Sequence, residues 1–450
     1  MQAKPIARDQ GDLFRSKLEN ILDRKHPLYK LSEQIDWTFF EKEFGEFYSE
    51  GTGRPGLPIR LMVGLHYLKA AYNVSDESVV EAFLENPYWQ YFLGYEFFQH
   101  RFPLNPTSLV KWRQRIGSEG VEMLLFELLS TAQRMNLLKP SDMHRVTVDT
   151  TVQEKAIAFP TDSRLYQKGR ELLVAKAKAE GVELRQSYSR VGNKAAIMQG
   201  RYARANQYKR ARREARKLRN YFGRVLRDVE RKVAPDQRPG WEPLLSMCHQ
   251  VYEQQRNDKD KLYSFHAPEV ECIGKGKAHK KYEFGCKVSV VSTTRDNWVL
   301  GVQALHGNPY DGHTLEAAIR HAETMSDGVI DTVFVDRGYR GHDYAGEGQI
   351  HIAGKRRASR SLKRWMKRRN AVEPVIGHLK SDHGMDRNYL AGVEGDRINA
   401  ILAGCGFNFR KVLRAILFWL ITRGANISRN WQILDRLSSN NHVRVGMVYG

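Results

Sequence analysis

The spacing of apolar residues changes about a third of the way along the chain, from a helical pattern to a strand pattern. Before that point, apolar residues recur at helical spacing over residues 58–68 and again over 79–84. A short basic segment over residues 109–116 continues the helical pattern. These patterns predict an all-helical N-terminal domain over residues 1–140.

After this domain, β-branched and apolar runs of strand length appear. Strands are predicted at residues 146–152, 284–294, 298–305, 332–336 and 350–352, and helices at 311–325 and 361–380. In chain order these are three strands, a helix, two strands and a helix. This order indicates an α/β fold with a mixed sheet of the ribonuclease-H-like type, provided that the long gap after the first strand is an insertion. The core domain is then expected over residues 141–159 and 256–390.

The gap, residues 160–255, has a helical and very polar pattern. Its central part, residues 201–232, is rich in arginine and lysine and contains three acidic residues. A narrow apolar stripe is predicted along this part, formed by Tyr208, Leu218, Tyr221, Phe222, Val225 and Val229. One interpretation is a solvated helical arm. We favour an arm laid along a DNA backbone, with contacts from Arg210, Arg212, Arg213 and Arg216, because the charge is almost all of one sign.

The final segment, residues 391–450, contains strongly apolar stretches at 398–402 and 412–420. They predict a helical C-terminal tail that packs on the core domain or on a partner subunit. The longest apolar run, residues 415–421, is far too short to span a bilayer, so no membrane association is expected.

The composition narrows the class of partner. Lysine and arginine total 72 against 51 aspartate and glutamate residues, and the formal net charge is +21. A surplus of this size favours nucleic acid as the partner. The hydrophobic fraction of 41% excludes a disordered chain, and the four cysteines form no CxxC pair that would suggest a zinc ribbon. With no apolar signal core at the start, a cytoplasmic, reducing location is expected.

The short basic helix over residues 109–116 is a candidate DNA reader. It carries Lys111, Arg113 and Arg115 and ends at Gly117. A short capped helix with basic side chains, following other helices, is typical of a helix-turn-helix-like domain that binds DNA or mediates dimerisation. An ordinary surface helix is the alternative.

Two aspartates occupy positions where burying an unpaired carboxylate would cost free energy. Asp149 lies inside an apolar strand, and Asp336 ends another. Taken alone, either one could form a salt bridge or cap a helix. On adjacent strands they favour a site for Mg²⁺ or Mn²⁺, since these ions prefer oxygen ligands and support phosphoryl transfer.

A third carboxylate, Glu373, lies between two cations at helical spacing. Arg369 is four residues before it and Lys380 is seven residues after it, so one helical face would carry all three. An exposed ion pair between Arg369 and Glu373 is the alternative. Pro374 lacks the donor that a helix interior needs, so the helix is expected to begin or bend beside Glu373.

The residues at 369, 373 and 380 resemble the Tyr-x2-Arg-x3-Glu-x6-Lys signature of bacterial insertion-sequence transposases of the DDE type. The tyrosine position of that signature is Met366 here, with Trp365 adjacent. The segments at 148–151 and 335–341 resemble the first and second Asp motifs of this family, and 262–266, 275–285 and 307–315 resemble its intervening region. The likeness covers most of residues 55–420.

This resemblance implies a ribonuclease-H-like catalytic core, with two Mg²⁺ or Mn²⁺ ions held by Asp149, Asp336 and Glu373. Water would cut at the terminal inverted repeats of a mobile element, and the freed 3′-hydroxyl would attack target DNA. The residues implied in DNA binding are Arg369, Lys380 and Arg337, with Asp311 and His313 supporting the metal ligands.

The partner implied by the resemblance is double-stranded DNA in a prokaryotic nucleoid. At least a homodimer is expected on DNA, since two element ends must be brought together. Two other interpretations stay open: a non-catalytic DNA-binding relative of a transposase, and a metal-dependent nuclease that does not join strands.

Overall fold

The computed structural model describes residues 16–48, 56–274, 280–354 and 359–422. The chain divides into two compact units. The first consists of Met1–Gln153 with Lys287–Gly450, and the second of Glu154–Cys286. The second unit contains the whole predicted insertion, together with residues on either side of it.

The N-terminal part of the first unit is helical, as predicted. Its helices are α1 (Leu18–Ile21), α2 (Pro27–Gln34), α3 (Trp37–Gly45), α4 (Ile59–Tyr72), α5 (Ser78–Glu85), α6 (Pro87–Phe92), α7 (Thr107–Arg134) and α8 (Pro140–Met143). The predicted basic helix forms the start of α7. Gly117 interrupts the regular helical backbone with a φ of 64°, and the helix then continues to Arg134 through a buried apolar stretch.

A mixed sheet follows, and every predicted strand is present. The strands are β1 (Arg145–Glu154), β2 (Glu271–Gly274), β3 (Tyr282–Thr293), β4 (Val299–Leu305), β5 (Thr332–Val335) and β6 (Gln349–Ile352). Strand β2, which has four residues and belongs to the second unit, is not among the strands predicted from the sequence. The sheet order is β2-β3-β1-β5-β6, and β4 also pairs with β3. Strands β3 and β4 are antiparallel, whereas β5 is parallel to both β1 and β6.

Helices cover the sheet of the first unit. They are α13 (Leu315–Ser326), preceded by a 3₁₀ turn at Asp311–Thr314, α14 (Arg360–Arg369), α15 (Val372–Ser381) and α16 (Gly392–Thr422). The two predicted tail helices form one continuous helix, α16, which packs against α4, α7 and β4. The N-terminal helices, the sheet and α16 share one apolar core, so the predicted boundary at residue 140 does not separate two compact units. None of the helices within the described residues has both the length and the apolar content that crossing a membrane requires.

The second unit contains four long helices: α9 (Asp162–Ala179), α10 (Ser189–Arg204), α11 (Tyr208–Lys232) and α12 (Arg238–Glu253). They enclose a core of their own, in which Leu173, Leu218, Phe222 and Trp241 are fully buried or nearly so. The insertion is therefore a small helical domain rather than a solvated arm. Most of the predicted apolar stripe of α11 faces this core. Tyr208 does not: it begins the helix, is 60% exposed, and bonds to Asn206 of the preceding turn.

Candidate active site

Asp149 and Asp336 are brought side by side by strand register. Strands β1 and β5 run parallel, and their pairing ends with Thr147 opposite Phe334. Two residues further along each strand lie Asp149 and Asp336. Since adjacent strands are about 4.8 Å apart and side chains alternate with a period of two, the two carboxylates share one face of the sheet. This is the adjacency that the sequence analysis expected.

A tight turn fixes the carboxylate of Asp336. Directly after β5, the chain forms a 3₁₀ turn at Arg337–Tyr339, and the Gly338 N–H donates to Asp336 Oδ1 at 2.7 Å. A Cβ atom on Gly338 would lie 2.9 Å from Asp336 Oδ1 and 3.2 Å from Asp311 Oδ2. Two carboxylate groups therefore approach this position, and a larger residue here would have to displace at least one of them.

Asp311 is a third acid of the site, held by bonds from two strands. Its Oδ1 accepts a hydrogen bond from the Thr150 hydroxyl at 3.0 Å and an ion pair from Lys287 Nζ at 3.0 Å. Thr150 also donates its backbone N–H to Asp149 Oδ1 at 2.9 Å. Thr150 thus links the two aspartates, so Asp311 helps to fix Asp149.

The phenol of Tyr339 lies among these acids. Tyr339 is fully buried, and its hydroxyl makes no hydrogen bond with any residue that the structure describes. Burial raises the pKa of Tyr339 well above its ordinary value, and the charges of Asp149, Asp311 and Asp336 raise it further. The phenol therefore stays protonated at every physiological pH.

The donor set fits a hard divalent cation. Asp149, Asp311 and Asp336 offer only oxygen atoms, and all three carboxylates act electrostatically on the buried Tyr339 hydroxyl, which has no hydrogen-bond partner among the described residues. Carboxylates that surround one buried phenol repel one another, and the ion pair between Asp311 and Lys287 compensates only one of the three charges. Oxygen ligands with this charge are those that Mg²⁺ and Mn²⁺ prefer.

Glu373 lies in the first turn of α15, and Pro374 follows it at a position where a helix needs no N–H donor. The single helix predicted over residues 361–380 is thus two helices. The second begins beside Glu373, as expected, but Arg369 ends the first, so the predicted common face of Arg369, Glu373 and Lys380 is wrong. The Glu373 side chain is exposed and forms no hydrogen bond or ion pair within the described part of the chain. Arg369 ends α14 and bonds to Asn370 at 3.2 Å. The simple alternative of an Arg369–Glu373 ion pair is therefore not realised.

An aromatic contact joins the helix before Glu373 to the strand that ends at Asp336. The ring of Trp365, in α14, stacks on Phe334 with centroids 6.4 Å apart. The Arg145 guanidinium lies 5.1 Å from the centroid of the same indole. Trp365, which neighbours the missing signature tyrosine, thus helps to attach α14 to β5.

The predicted DNA-contacting residues of α7 divide into two groups. Lys111 and Arg115 are exposed, and Arg115 lies over the Tyr48 ring at 5.2 Å. Arg113 is 3% exposed and pairs with Asp76 at 2.7 Å. Arg113 follows buried Trp112 on the inner face of the helix. Its guanidinium group stabilises the fold through Asp76 and is not available to bind DNA, so the predicted DNA contact by Arg113 is wrong.

The other predicted cations are placed as follows. Arg337 is exposed next to Gly354, and Lys380 is half-buried on α15. On α11, the side chains of Arg210, Arg212, Arg213 and Arg216 are all exposed. His313 lies in the 3₁₀ turn that begins at Asp311. Its ring packs against the ring of Tyr310, with the two ring centroids 5.3 Å apart.

Three residues of the site have no role predicted from the sequence: Lys287, Thr150 and Tyr339. Lys287 carried a signal, because it is the one charged residue in the predicted strand over residues 284–294. Its ion pair with Asp311 spans 24 residues, and the bond from Thr150 to Asp311 spans 161. Contacts over such separations depend on the fold rather than on local spacing.

Two family models match this chain. One described as a transposase domain (DUF772) matches residues 16–115, and one described as a transposase DDE domain matches residues 255–409. Among curated proteins, the chain is similar to the "Uncharacterized protein ORF8 in nfe locus" of Rhizobium meliloti, with 49% identity over 199 residues. That match covers 44% of this chain and 96% of the relative. No solved structure matches the chain. Asp311, Asp336 and Glu373 lie inside the matched DDE domain, whereas Asp149 lies outside both matched ranges.

Proposed function

Because this chain belongs to the transposases that carry a DDE domain, we propose that it cuts DNA at the terminal inverted repeats of an insertion sequence and joins the freed ends to target DNA. The observation that carries this proposal is the placement of Asp149 and Asp336 at equivalent positions of two adjacent parallel strands, with Asp311 beside them. A carboxylate cluster of this kind is suited to phosphoryl transfer on nucleic acid.

Strand order supports a ribonuclease-H-like catalytic core. In the first unit the order is β4-β3-β1-β5-β6, with the antiparallel pair β3/β4 on one side of β1 and the parallel strands β5 and β6 on the other. The first aspartate lies on the central strand β1, and the second follows the neighbouring strand β5. The inserted helical domain enters between β1 and β3, at the end of the first strand.

In the proposed site, Asp149, Asp336 and Glu373 would hold two Mg²⁺ or Mn²⁺ ions. Bound there, the ions supply the Lewis acidity that activates an attacking oxygen and stabilises a leaving one. Thr150 and Gly338 orient the two aspartates through their backbone N–H groups. Glu373, exposed and unpaired within the described residues, would complete the ligand set from α15.

Two displacements follow one another, the first at a phosphorus atom of the element end and the second at a phosphorus atom of the target. Water first attacks the phosphodiester at the end of the element, and a 3′-hydroxyl leaves. That hydroxyl then attacks a phosphodiester of the target, so one ester bond forms as another breaks. Arg369, Lys380 and Arg337 would offset the charge on the phosphate oxygens.

The remaining DNA contacts are proposed on exposed cations of both units. They are Lys111, Arg115, Arg210, Arg212, Arg213 and Arg216. Two element ends must be joined in one reaction, so we propose a homodimer or larger assembly on DNA.

The test is an assay with the full chain, DNA from the two ends of the element and Mg²⁺, scored separately for cleavage and for joining. Cleavage followed by joining is the expected result. Cleavage without joining would identify a nuclease, and binding without cleavage a non-catalytic relative; either result would overturn the proposal. The Asp336→Asn variant is the control for contaminating nucleases.

A further inference from the structure

The second unit contains a cleft of about 570 Å³ that the proposed reaction does not use. Three segments line it: the loop before α10, the second half of α11 and the start of α12. Five arginines project from these segments, namely Arg185, Arg224, Arg227, Arg231 and Arg238. Side chains of one charge meeting from three segments repel one another, so this arrangement is stable only with an anionic partner or in strong contact with water.

The two acids of the cleft are already engaged. Asp228 accepts the Arg185 backbone N–H at 2.8 Å and forms ion pairs with Arg231 and Lys232, each at 3.4 Å. Glu230 pairs with His249. Within the described residues, the guanidinium groups of the other four cleft arginines form no ion pair with a carboxylate. The cleft therefore carries positive charge that the protein does not neutralise.

The cleft also continues a row of arginines along α11. Arg213, Arg216, Arg224, Arg227 and Arg231 are spaced so that they fall on one face of the helix, and all five are exposed. From Arg213 to Arg231 the helix rises about 27 Å, the length of about eight base pairs of duplex DNA. The opposite face of α11 is closed against the core of the unit by Leu218, Phe222 and Val225. The row is thus held on a rigid support.

Aromatic rings restrict these arginines. The guanidinium of Arg224 lies 5.9 Å from the ring centroid of Tyr188, and that of Arg227 lies 5.9 Å from the ring centroid of Tyr252. The Tyr188 ring is itself stacked on Tyr221, with centroids 4.9 Å apart. Cations that rest on aromatic rings lose less freedom when they bind an anion, so these contacts favour binding.

We propose that this cleft binds the phosphodiester backbone of one DNA strand, and that the arginine row of α11 leads the strand into it. A phosphate group suits the site because guanidinium groups bind its oxygens in pairs. The inference rests on the proposed function in one respect, that the chain binds DNA. It assigns a phosphate site to the helical domain, through residues other than those of the carboxylate site.

The test compares two double variants of the full chain, Arg224→Ala with Arg227→Ala and Arg201→Ala with Arg204→Ala. Both remove two exposed arginines from the second unit, but Arg201 and Arg204 belong to α10 and do not line the cleft. Binding to an element-end duplex and to an unrelated duplex is measured against salt concentration, in EDTA so that no strand is cut. The cleft variant should weaken binding to both duplexes by similar factors and flatten the log–log salt slope by about 1.8 units.

Two further measurements keep this outcome clear. The Arg224→Lys, Arg227→Lys variant preserves both charges and should restore most of the slope, and melting curves should match the parent. Equal slopes in the cleft and control variants would overturn the phosphate site. A parent that binds no DNA would overturn it together with the proposed function. A parent with cleft-dependent binding that never cuts DNA would overturn only the proposed function.

Discussion

Asp149 and Asp336 occupy equivalent positions on parallel strands, each two residues beyond the last residue pair that joins β1 to β5. Their proximity is therefore a property of register. A shift of one residue in this pairing would turn one carboxylate to the opposite face of the sheet. The site depends on the apolar residues that fix the register, such as Val146 and Val333, as much as on the acids themselves.

Replacing any of the three proposed metal ligands should separate catalysis from DNA binding. Asp149→Asn, Asp336→Asn and Glu373→Gln are each expected to reduce cleavage by at least about 100-fold, because divalent ions require charged oxygen ligands. DNA affinity should stay nearly unchanged, since it comes mainly from lysine and arginine. Cleavage rates and binding isotherms on the same preparations check this. Wild-type cleavage by Asp336→Asn would contradict the assignment.

Cleavage should require Mg²⁺ or Mn²⁺. Ca²⁺ is expected to bind without supporting the reaction, because its longer bonds and larger coordination number do not match the in-line geometry. The measurement is a cleavage assay with each ion after treatment with a chelator. Full activity in the presence of excess EDTA would contradict a metal mechanism.

Asp311 should position Asp149 rather than react. Asp311→Asn keeps an oxygen for the Thr150 hydroxyl but leaves Lys287 without its ion pair. We expect cleavage to fall about 10- to 100-fold and the Mg²⁺ concentration for half-maximal activity to rise. Stability should fall by about 1–3 kcal/mol, since the Lys287 side chain is only 12% exposed.

The matched control for Asp311→Asn is Asp331→Asn. Asp331 also makes a side-chain contact, with its Oδ2 atom 2.7 Å from His144 Nδ1, but it precedes β5 and lies at the opposite end of that strand from Asp336. This control should leave cleavage and the Mg²⁺ requirement unchanged. An unaltered Mg²⁺ requirement in Asp311→Asn itself would limit Asp311 to a structural role.

The stability of the first unit should fall in acid because of His66. Burial lowers the pKa of His66 to about 3, and the charge of Arg113 contributes to the shift. Its two ring nitrogens lie 2.7 Å from the Met62 carbonyl oxygen and 3.3 Å from the Arg113 guanidinium, so a neutral ring suits both contacts. The folded state binds fewer protons than the unfolded state. Stability should therefore fall by about 1.4 kcal/mol per pH unit as the pH drops from about 6.5 towards 3.

Denaturant unfolding at several pH values checks this prediction, with His66→Gln as the comparison. The variant should be less stable than the parent at neutral pH, and its stability should depend less on pH by about the same 1.4 kcal/mol per unit. His383, whose pKa burial lowers to about 4, contributes separately and is unchanged in both proteins. Identical pH dependence in the two proteins would exclude His66 as the group responsible.

The first half of α11 offers a further test. Changing Arg210, Arg212, Arg213 and Arg216 together to Ala should weaken binding to specific and unrelated duplexes by similar factors. If all four contact phosphates, the salt slope should flatten by roughly three to four units. The side chains are exposed, so stability should change by about 0.5 kcal/mol or less for each. A loss confined to the element-end sequence would instead identify a base-reading helix.

Local pattern was enough to place the strands and the two aspartates, because apolar runs and strand alternation extend over several residues. It missed β2, which has only four residues. It also misjudged Arg113, since a count of charges does not say which face of a helix a side chain occupies. The hydrogen bond between Thr150 and Asp311 could not be predicted from local pattern, because only the tertiary fold brings together residues 161 positions apart.

The helical domain inserted after β1 bears on how the sheet forms. Joining β1 to β3 across an unstructured chain of that length would cost about 4 kcal/mol in loop-closure entropy. The two ends of the second unit are already tied together, since the Lys155 N–H donates to the Phe284 carbonyl at 2.9 Å. Because it has an apolar core of its own, this unit can fold first. The end of β1 and the start of β3 are then already close together, as they would be in a short β-hairpin. The long insertion between β1 and β3 then slows the assembly of the central sheet only slightly.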